Sequence, residues 1–209
     1  MVDCNYPTAA IRGETVSQKN AGLSPLISGL ILSGGVGQRV GGCDKGLLGW
    51  RGERLIDHVY RRIKVQVGPV IISCNRNIDV YRQFLATVVV DSRENFQGPL
   101  AGLEAALAHV DTEYLAVVPC DTPLIPMDMV ERLLRPMLKD DRLAISYTRT
   151  EERDHYLCAL LRCKLLSSLS DYLESGERAV KHWYGLHRTA PVAFASAGDA
   201  FMNVNEMPG

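Results

Sequence analysis

The chain has 209 residues, with 23 Lys plus Arg against 24 Asp plus Glu, so its formal net charge is −1 and no basic excess exists to neutralise a nucleic-acid backbone or an anionic membrane. That length suffices for one ordinary globular domain with its own core, and two full domains are not expected. The longest uncharged stretch, residues 20–38, is broken by Pro25 and by several glycines and polar side chains, which excludes the sustained apolar span of a membrane helix.

Residues 1–24 mix Asp3, Arg12, Glu14 and Lys19 with Asn, Gln, Ser and Thr, and read as a flexible extension, neither a secretion signal nor an acid-free targeting segment. From Pro25 onward the texture is that of a folded domain. Residues 29–33 are a buried strand stopped by Gly34 and Gly35, and Leu55, Val59, Ile63 and Val67 then recur at helical spacing. Strands follow at 70–74 and 87–90, then a helical stripe of Leu100, Leu103, Leu107 and Val110, then a strand at 114–118. Pro126 is expected in the first turn of the next helix, marked by Val130, Leu133, Leu134 and Met137. Strands at 142–148 and 156–161, a helix at 165–173 and a strand at 192–195 complete the reading. Strands alternating with helices of this length predict a single-domain α/β fold, a Rossmann-like, mostly parallel sheet with helices on both faces.

The six cysteines, Cys4, Cys43, Cys74, Cys120, Cys158 and Cys163, contain no CxxC pair and the five histidines stand alone. Free thiols in a reducing cytoplasm are expected, without a structural zinc site.

The loop after the first strand carries the most chemistry. Five glycines lie between Gly34 and Gly42, interleaved with Arg39 and followed by Asp44 and Lys45. Missing Cβ atoms let backbone N–H groups converge on an anion, and the two cations add fixed charge. Neither the dinucleotide-binding GxGxxG nor the GxxxxGK[ST] loop is present; a merely flexible glycine turn is the plain alternative. A second signal is Val117-Val-Pro-Cys-Asp-Thr-Pro123, which sets the Asp121 carboxylate at the carboxyl end of a strand, where open α/β sheets bind ligands. Mg²⁺ takes one or two such carboxylates plus phosphate oxygens; a turn or helix cap is the alternative for Asp121, and an acidic turn for Asp91. The third is Gln97-Gly-Pro-Leu-Ala-Gly102, in which Gly98 and Gly102 permit close backbone approach to a ligand or to a packed strand. In a parallel sheet these loops share one edge.

The run Leu32 to Lys45 resembles the LAGGxxxRMGGxDK signature of molybdenum cofactor guanylyltransferases. Gly98-Pro-Leu-Ala-Gly102, Pro119-Cys-Asp-Thr-Pro123, Glu152-Arg-Asp-His155, Gly176-Glu-Arg178 and Asn203-Val-Asn205 are similar to that family's later blocks, in the same order. The likeness spans residues 26–205, so 25–209 is expected to be a nucleotidyltransferase domain of the nucleotide-diphospho-sugar transferase type. The resemblance implies transfer of GMP from GTP to molybdenum-bound molybdopterin, with Mg²⁺, giving the guanine dinucleotide cofactor and pyrophosphate. It further implies that Leu32, Ser33, Gly34, Gly35, Arg39, Gly42 and Lys45 hold the triphosphate, with Arg39, Lys45 and Asp121 as the catalytic set and Asp121 binding the metal. Asp91 would contact the nucleotide and Gly98 and Gly102 would lie beside it. Ser73 stands where the family often has an asparagine near the base or ribose, so one hydrogen bond is expected to move to Asn75. Arg178, Asn203 and Asn205 would face the pterin; a surface residue and a polar turn are their alternatives. Implied partners are GTP, the cofactor, and molybdoenzymes or their chaperones, with neither nucleic acid nor membrane. A cytidylyl or sugar-phosphate transferase, or a non-catalytic adaptor binding nucleotide or cofactor for molybdoenzymes, remains the competing reading. Cys43 and Cys120 have no evident base partner and are not expected to be nucleophiles.

Overall fold

The computed structural model describes residues 26–34, 44–93, 97–194 and 198–204. The expected extension over residues 1–24 lies outside them. The first half alternates strand and helix: β1 (Ile27–Leu32), the short hairpin of β2 (Gly49–Trp50) and β3 (Glu53–Arg54), α1 (Leu55–Lys64), β4 (Val70–Ser73), α2 (Ile78–Tyr81), β5 (Thr87–Val89), α3 (Pro99–Leu107) and β6 (Tyr114–Pro119). The second half comprises α4 (Met129–Lys139), β7 (Ile145–Arg149), β8 (Asp154–Arg162), α5 (Leu166–Glu174), α6 (Val180–Gly185) and β9 (Thr189–Ala193).

Among the described residues the main sheet has seven strands in the order β5-β4-β1-β6-β8-β7-β9. β5, β4, β1 and β6 run parallel, β8 is antiparallel to β6 and β7, and β9 is parallel to β7. The expectation of a mostly parallel sheet holds, with β8 as the reversed member. Predominantly apolar, buried runs form its centre because both faces are covered. Successive residues point to opposite sides: Ile31, Ile72 and Val118 pack with α1, α2 and α4, while Leu30, Ile71 and Val117 pack with α3, α5 and α6.

Two local departures have physical causes. Pro126 is not in the first turn of α4; its carbonyl accepts from Met129 N–H at 3.2 Å, so it closes the preceding turn and the helix starts at Met129. Asp128 at the cap position makes no side-chain cap bond. The acceptor comes instead from buried Gln66, whose Oε1 takes Val130 N–H at 3.0 Å while its Nε2 donates to Pro126 O at 3.0 Å, a cap that no local pattern reveals. The final strand is Thr189–Ala193 rather than 192–195, because its register is set by pairing from Ile145↔Thr189 to Arg149↔Ala193.

Candidate active site

The parallel ladder brings the ends of β5, β4, β1 and β6 to one edge. Beyond β1, Ser33 N–H still donates to Ser73 O at 2.8 Å, and Cys120 N–H to Leu32 O at 3.0 Å. Leu32, Ser33 and Gly34 therefore emerge between Ser73 and Asp121. Gly35, Arg39 and Gly42 lie outside the described residues, as does Asn205.

The chain resumes in a 3-10 turn at Lys45–Leu47. Its Lys45 ammonium donates to Asp121 Oδ2, and the two side chains are 24% and 11% exposed. A cation and a carboxylate thus meet at the mouth of the edge, partly screened from water. Asp44, which the sequence reading treated only as part of the motif, is buried; its Oδ1 accepts from Gly46 N–H at 3.2 Å and from Tyr81 Oη at 2.7 Å, and its Oδ2 from Asn77 Nδ2 at 3.1 Å. Tyr81 and Asn77 come from α2 and its start, which periodicity did not reveal in so short a helix.

Asp121 is anchored on its other side. Thr122, fully buried, places its hydroxyl 3.5 Å from Asp121 Oδ1 and 3.3 Å from Asn203 Oδ1, and Val204 N–H donates to Asp121 O at 2.9 Å. Asn203 is thereby brought against the Asp121 loop from the far end of the chain.

Asp91 pairs reciprocally with Asn75: Asn75 Nδ2 donates to its carboxylate at 2.8 Å, and Asp91 N–H donates to Asn75 Oδ1 at 3.0 Å. Burial pushes the Asp91 carboxyl upward, opposed by the hydrogen bonds from Asn75 and Ser73. Asn75, to which a nucleotide hydrogen bond is expected to move, is engaged here with Asp91. Ser73 is 1% exposed, with its hydroxyl 3.4 Å from Asp91 Oδ1. Gly102 is packed directly over it: a Cβ there would stand 2.5 Å from Ser73 Oγ and 3.0 Å from Leu32 Cδ2. Both residues are thus placed beneath the edge, and the packing alternative describes Gly102. Gly98, exposed and at φ 86°, caps α3.

Arg178 is held at the start of α3. Its guanidinium donates to Leu173 O at 2.8 Å, to Glu177 O at 2.5 Å and to the Gln97 side chain, tying the end of α5 to the start of α3. Near it Arg93 makes a two-pronged pair with Glu104 at 2.6 and 2.8 Å, an anchor that the sequence reading missed because its members lie on separate elements. The structure places Arg178 by α3 and Asn203 by Asp121.

Cys120 beside Asp121 is buried, and burial together with the neighbouring carboxylate raises its thiol to about 12. A thiol so disfavoured as an anion is a poor nucleophile. Among the described residues no group of three or more His, Cys, Asp or Glu is arranged to hold a metal, and no helix is long and apolar enough to cross a membrane.

A family model described as "MobA-like NTP transferase domain" matches residues 29–190. The chain belongs to the MobA-like NTP transferase family. It is a nucleotidyltransferase. It is 43% identical over 183 residues, 88% of this chain and 92% of the relative, to a protein of Shewanella sp. (strain MR-4) named molybdenum cofactor guanylyltransferase. A Mannheimia succiniciproducens protein of the same name is 38% identical over 181 residues, covering 87% of this chain and 95% of that one. In fold the chain is similar to the molybdopterin-guanine dinucleotide biosynthesis protein A of Archaeoglobus fulgidus, with a TM-score of 0.69 and 20% identity over 85% of this chain and 92% of that one. These matches bear out the family resemblance read from the motifs.

Proposed function

We propose that this chain transfers GMP from GTP to the terminal phosphate of molybdenum-bound molybdopterin, releasing pyrophosphate, in the cytoplasm and for delivery to molybdoenzymes. The observation that carries the reading is the meeting of Lys45 and Asp121 at the carboxyl edge, in a chain whose relatives over most of its length bear the guanylyltransferase name.

The reaction asks little covalent chemistry of the protein, because the attacking phosphate oxygen is already anionic and the main tasks are alignment and charge neutralisation. Backbone N–H groups of Gly34, Gly35 and Gly42, together with Arg39 and Lys45, hold the triphosphate, and Leu32 and Ser33, tied to Cys120 N–H and Ser73 O, fix where the loop begins. Lys45 is already at the mouth and exchanges its carboxylate partner for phosphate oxygens. Asp91, fixed by Asn75, receives the nucleoside from the β5 side, where Gly98 opens α3. Asn203 approaches the acceptor from the Asp121 side, Asn205 is assigned to the same ligand, and Arg178 orders Gln97.

Asp121 fits a magnesium site of the kind that uses a single protein carboxylate: its side chain, 11% exposed and paired with Lys45, lies at the edge, and among the described residues it belongs to no group of three or more His, Cys, Asp or Glu arranged to hold a metal. Bound there, Mg²⁺ would balance charge on the α-phosphate and the departing pyrophosphate.

The test is to incubate purified protein with molybdenum-loaded molybdopterin, Mg²⁺ and either GTP, ATP or CTP, and to quantify dinucleotide cofactor and pyrophosphate. Equimolar products with GTP, at least tenfold faster than with CTP or ATP, are expected. Equal or faster transfer from CTP, or no product from any donor, would overturn the reading.

A further inference from the structure

We propose that Tyr81 and Asp44 are positioning residues for nucleotidyl transfer, forming a buried clasp that holds the Lys45 turn in place; the inference rests on the reading of Lys45 as the triphosphate cation.

The turn that carries Lys45 is three residues long, too short to hold its own geometry through helical hydrogen bonding. Asp44 fixes it. Among the described residues, that carboxylate accepts from Gly46 N–H, Tyr81 Oη and Asn77 Nδ2. Lys45 consequently does not pair with the acid beside it in sequence, and its ammonium goes across the mouth to Asp121.

Tyr81 is 0% exposed, in the core that includes Leu47, Cys74 and Cys120, where a phenylalanine ring would serve packing equally well. Its hydroxyl instead presses on the turn: a Cβ on Gly46 would lie 2.5 Å from Tyr81 Oη and 2.8 Å from Ser33 Oγ. Glycine at position 46 is therefore required by the approach of the phenol. Burial and the adjacent Asp44 charge hold the phenol protonated far above its ordinary range, so it donates throughout the working pH range. The second donor, Asn77, sits at φ 50° and ψ 34°, a left-handed conformation that asparagine tolerates better than most residues. Its side chain turns to Asp44 rather than capping α2.

A double-mutant cycle on turnover separates positioning from general support. Wild type, Tyr81→Phe, Lys45→Ala and the double variant would be compared by kcat and KM for GTP, with melting temperatures recorded on the same preparations. Lys45→Ala is expected to lower kcat/KM by about a hundredfold; if it leaves turnover intact, the triphosphate reading of Lys45 fails and the inference falls with it. Tyr81→Phe is expected to lower kcat by about tenfold while KM for GTP changes by no more than about threefold, and to cost nothing further in the Lys45→Ala background. Wild-type kcat in Tyr81→Phe, or the same tenfold loss in both backgrounds, would overturn the clasp while leaving the triphosphate reading standing. Should Tyr81→Phe not fold, Asn77→Gly keeps the left-handed backbone, removes the second donor, and is expected to show the same loss confined to the Lys45 background, with equal losses in both backgrounds again overturning it.

Discussion

Lys45 donates to Asp121 across 76 positions of sequence, joining the turn after the glycine-rich loop to the end of a central strand. The pair is a product of topology: β1 and β6 lie side by side and parallel, with Leu32 opposite Pro119, so the loops leaving the two strands converge. Both side chains are largely screened from solvent, and in such a setting an ion pair leaves neither charge without a partner. In the proposed reaction the nucleotide supplies new partners to both.

Close packing at the base of the site yields the first expectation. Gly102→Ala places a methyl group 2.5 Å from Ser73 Oγ and 3.0 Å from Leu32 Cδ2, and overpacking of this kind costs about 1–3 kcal/mol. Thermal or urea unfolding should show that loss. Adding Ser73→Gly removes the nearest obstruction and should recover part of it, whereas strictly additive losses would show that the two residues do not share the contact.

The buried pair at the start of α1 provides a contrast with surface pairs. Arg54 and Asp57, 4% and 7% exposed, are joined at 2.7 and 2.8 Å. Asp57→Ala leaves a guanidinium buried without its counter-charge and should destabilise by about 3–5 kcal/mol. Glu131→Ala breaks the exposed pair with Arg135, which is screened by solvent, and should leave stability almost unchanged. Similar losses for the two variants in chemical denaturation would contradict this.

Acid sensitivity should pass through Glu104. Its hydrogen bonds from Arg93 hold the carboxyl below its ordinary value of 4.5 despite burial. A carboxyl with a lowered folded pKa binds fewer protons in the native state, so its stabilising contribution is complete above about 4.5 and disappears as pH falls through the folded value. Unfolding free energies between pH 3 and 7 should therefore fall less steeply with acid in Glu104→Gln than in wild type. Parallel curves would remove Glu104 from the account.

Much of the fold was legible because apolar periodicity reports burial. The runs that became β1, β4 and β6 are rich in apolar residues, and the stripe of Leu55, Val59 and Ile63 became the inner face of α1. The loops with chemistry were found by their glycines, cations and Asp121. The features that stayed hidden depend on partners remote in sequence. Gln66 caps α4 from 64 positions away, Tyr81 reaches Asp44 across 37, and Arg178 meets Gln97 across 81. The four residues of α2 span about one helical turn and show no periodicity. Gly102 was legible as a close-approach position, but only the crossing of α3 over β4 decides that Ser73 fills the space a side chain there would need.

The most direct measurement of the central claim is Asp121→Asn, which preserves size and removes the charge offered to a metal and to Lys45. Melting temperature, Mg²⁺-dependent GTP binding and guanylyl transfer would be followed on one preparation. The expected result is a folded protein that still binds GTP through Lys45 and the glycine-rich loop, has lost the magnesium enhancement, and turns over about a hundredfold more slowly or worse. A protein destabilised by about 1 kcal/mol, as loss of a turn or helix cap would produce, with near-normal magnesium-dependent transfer, would contradict it.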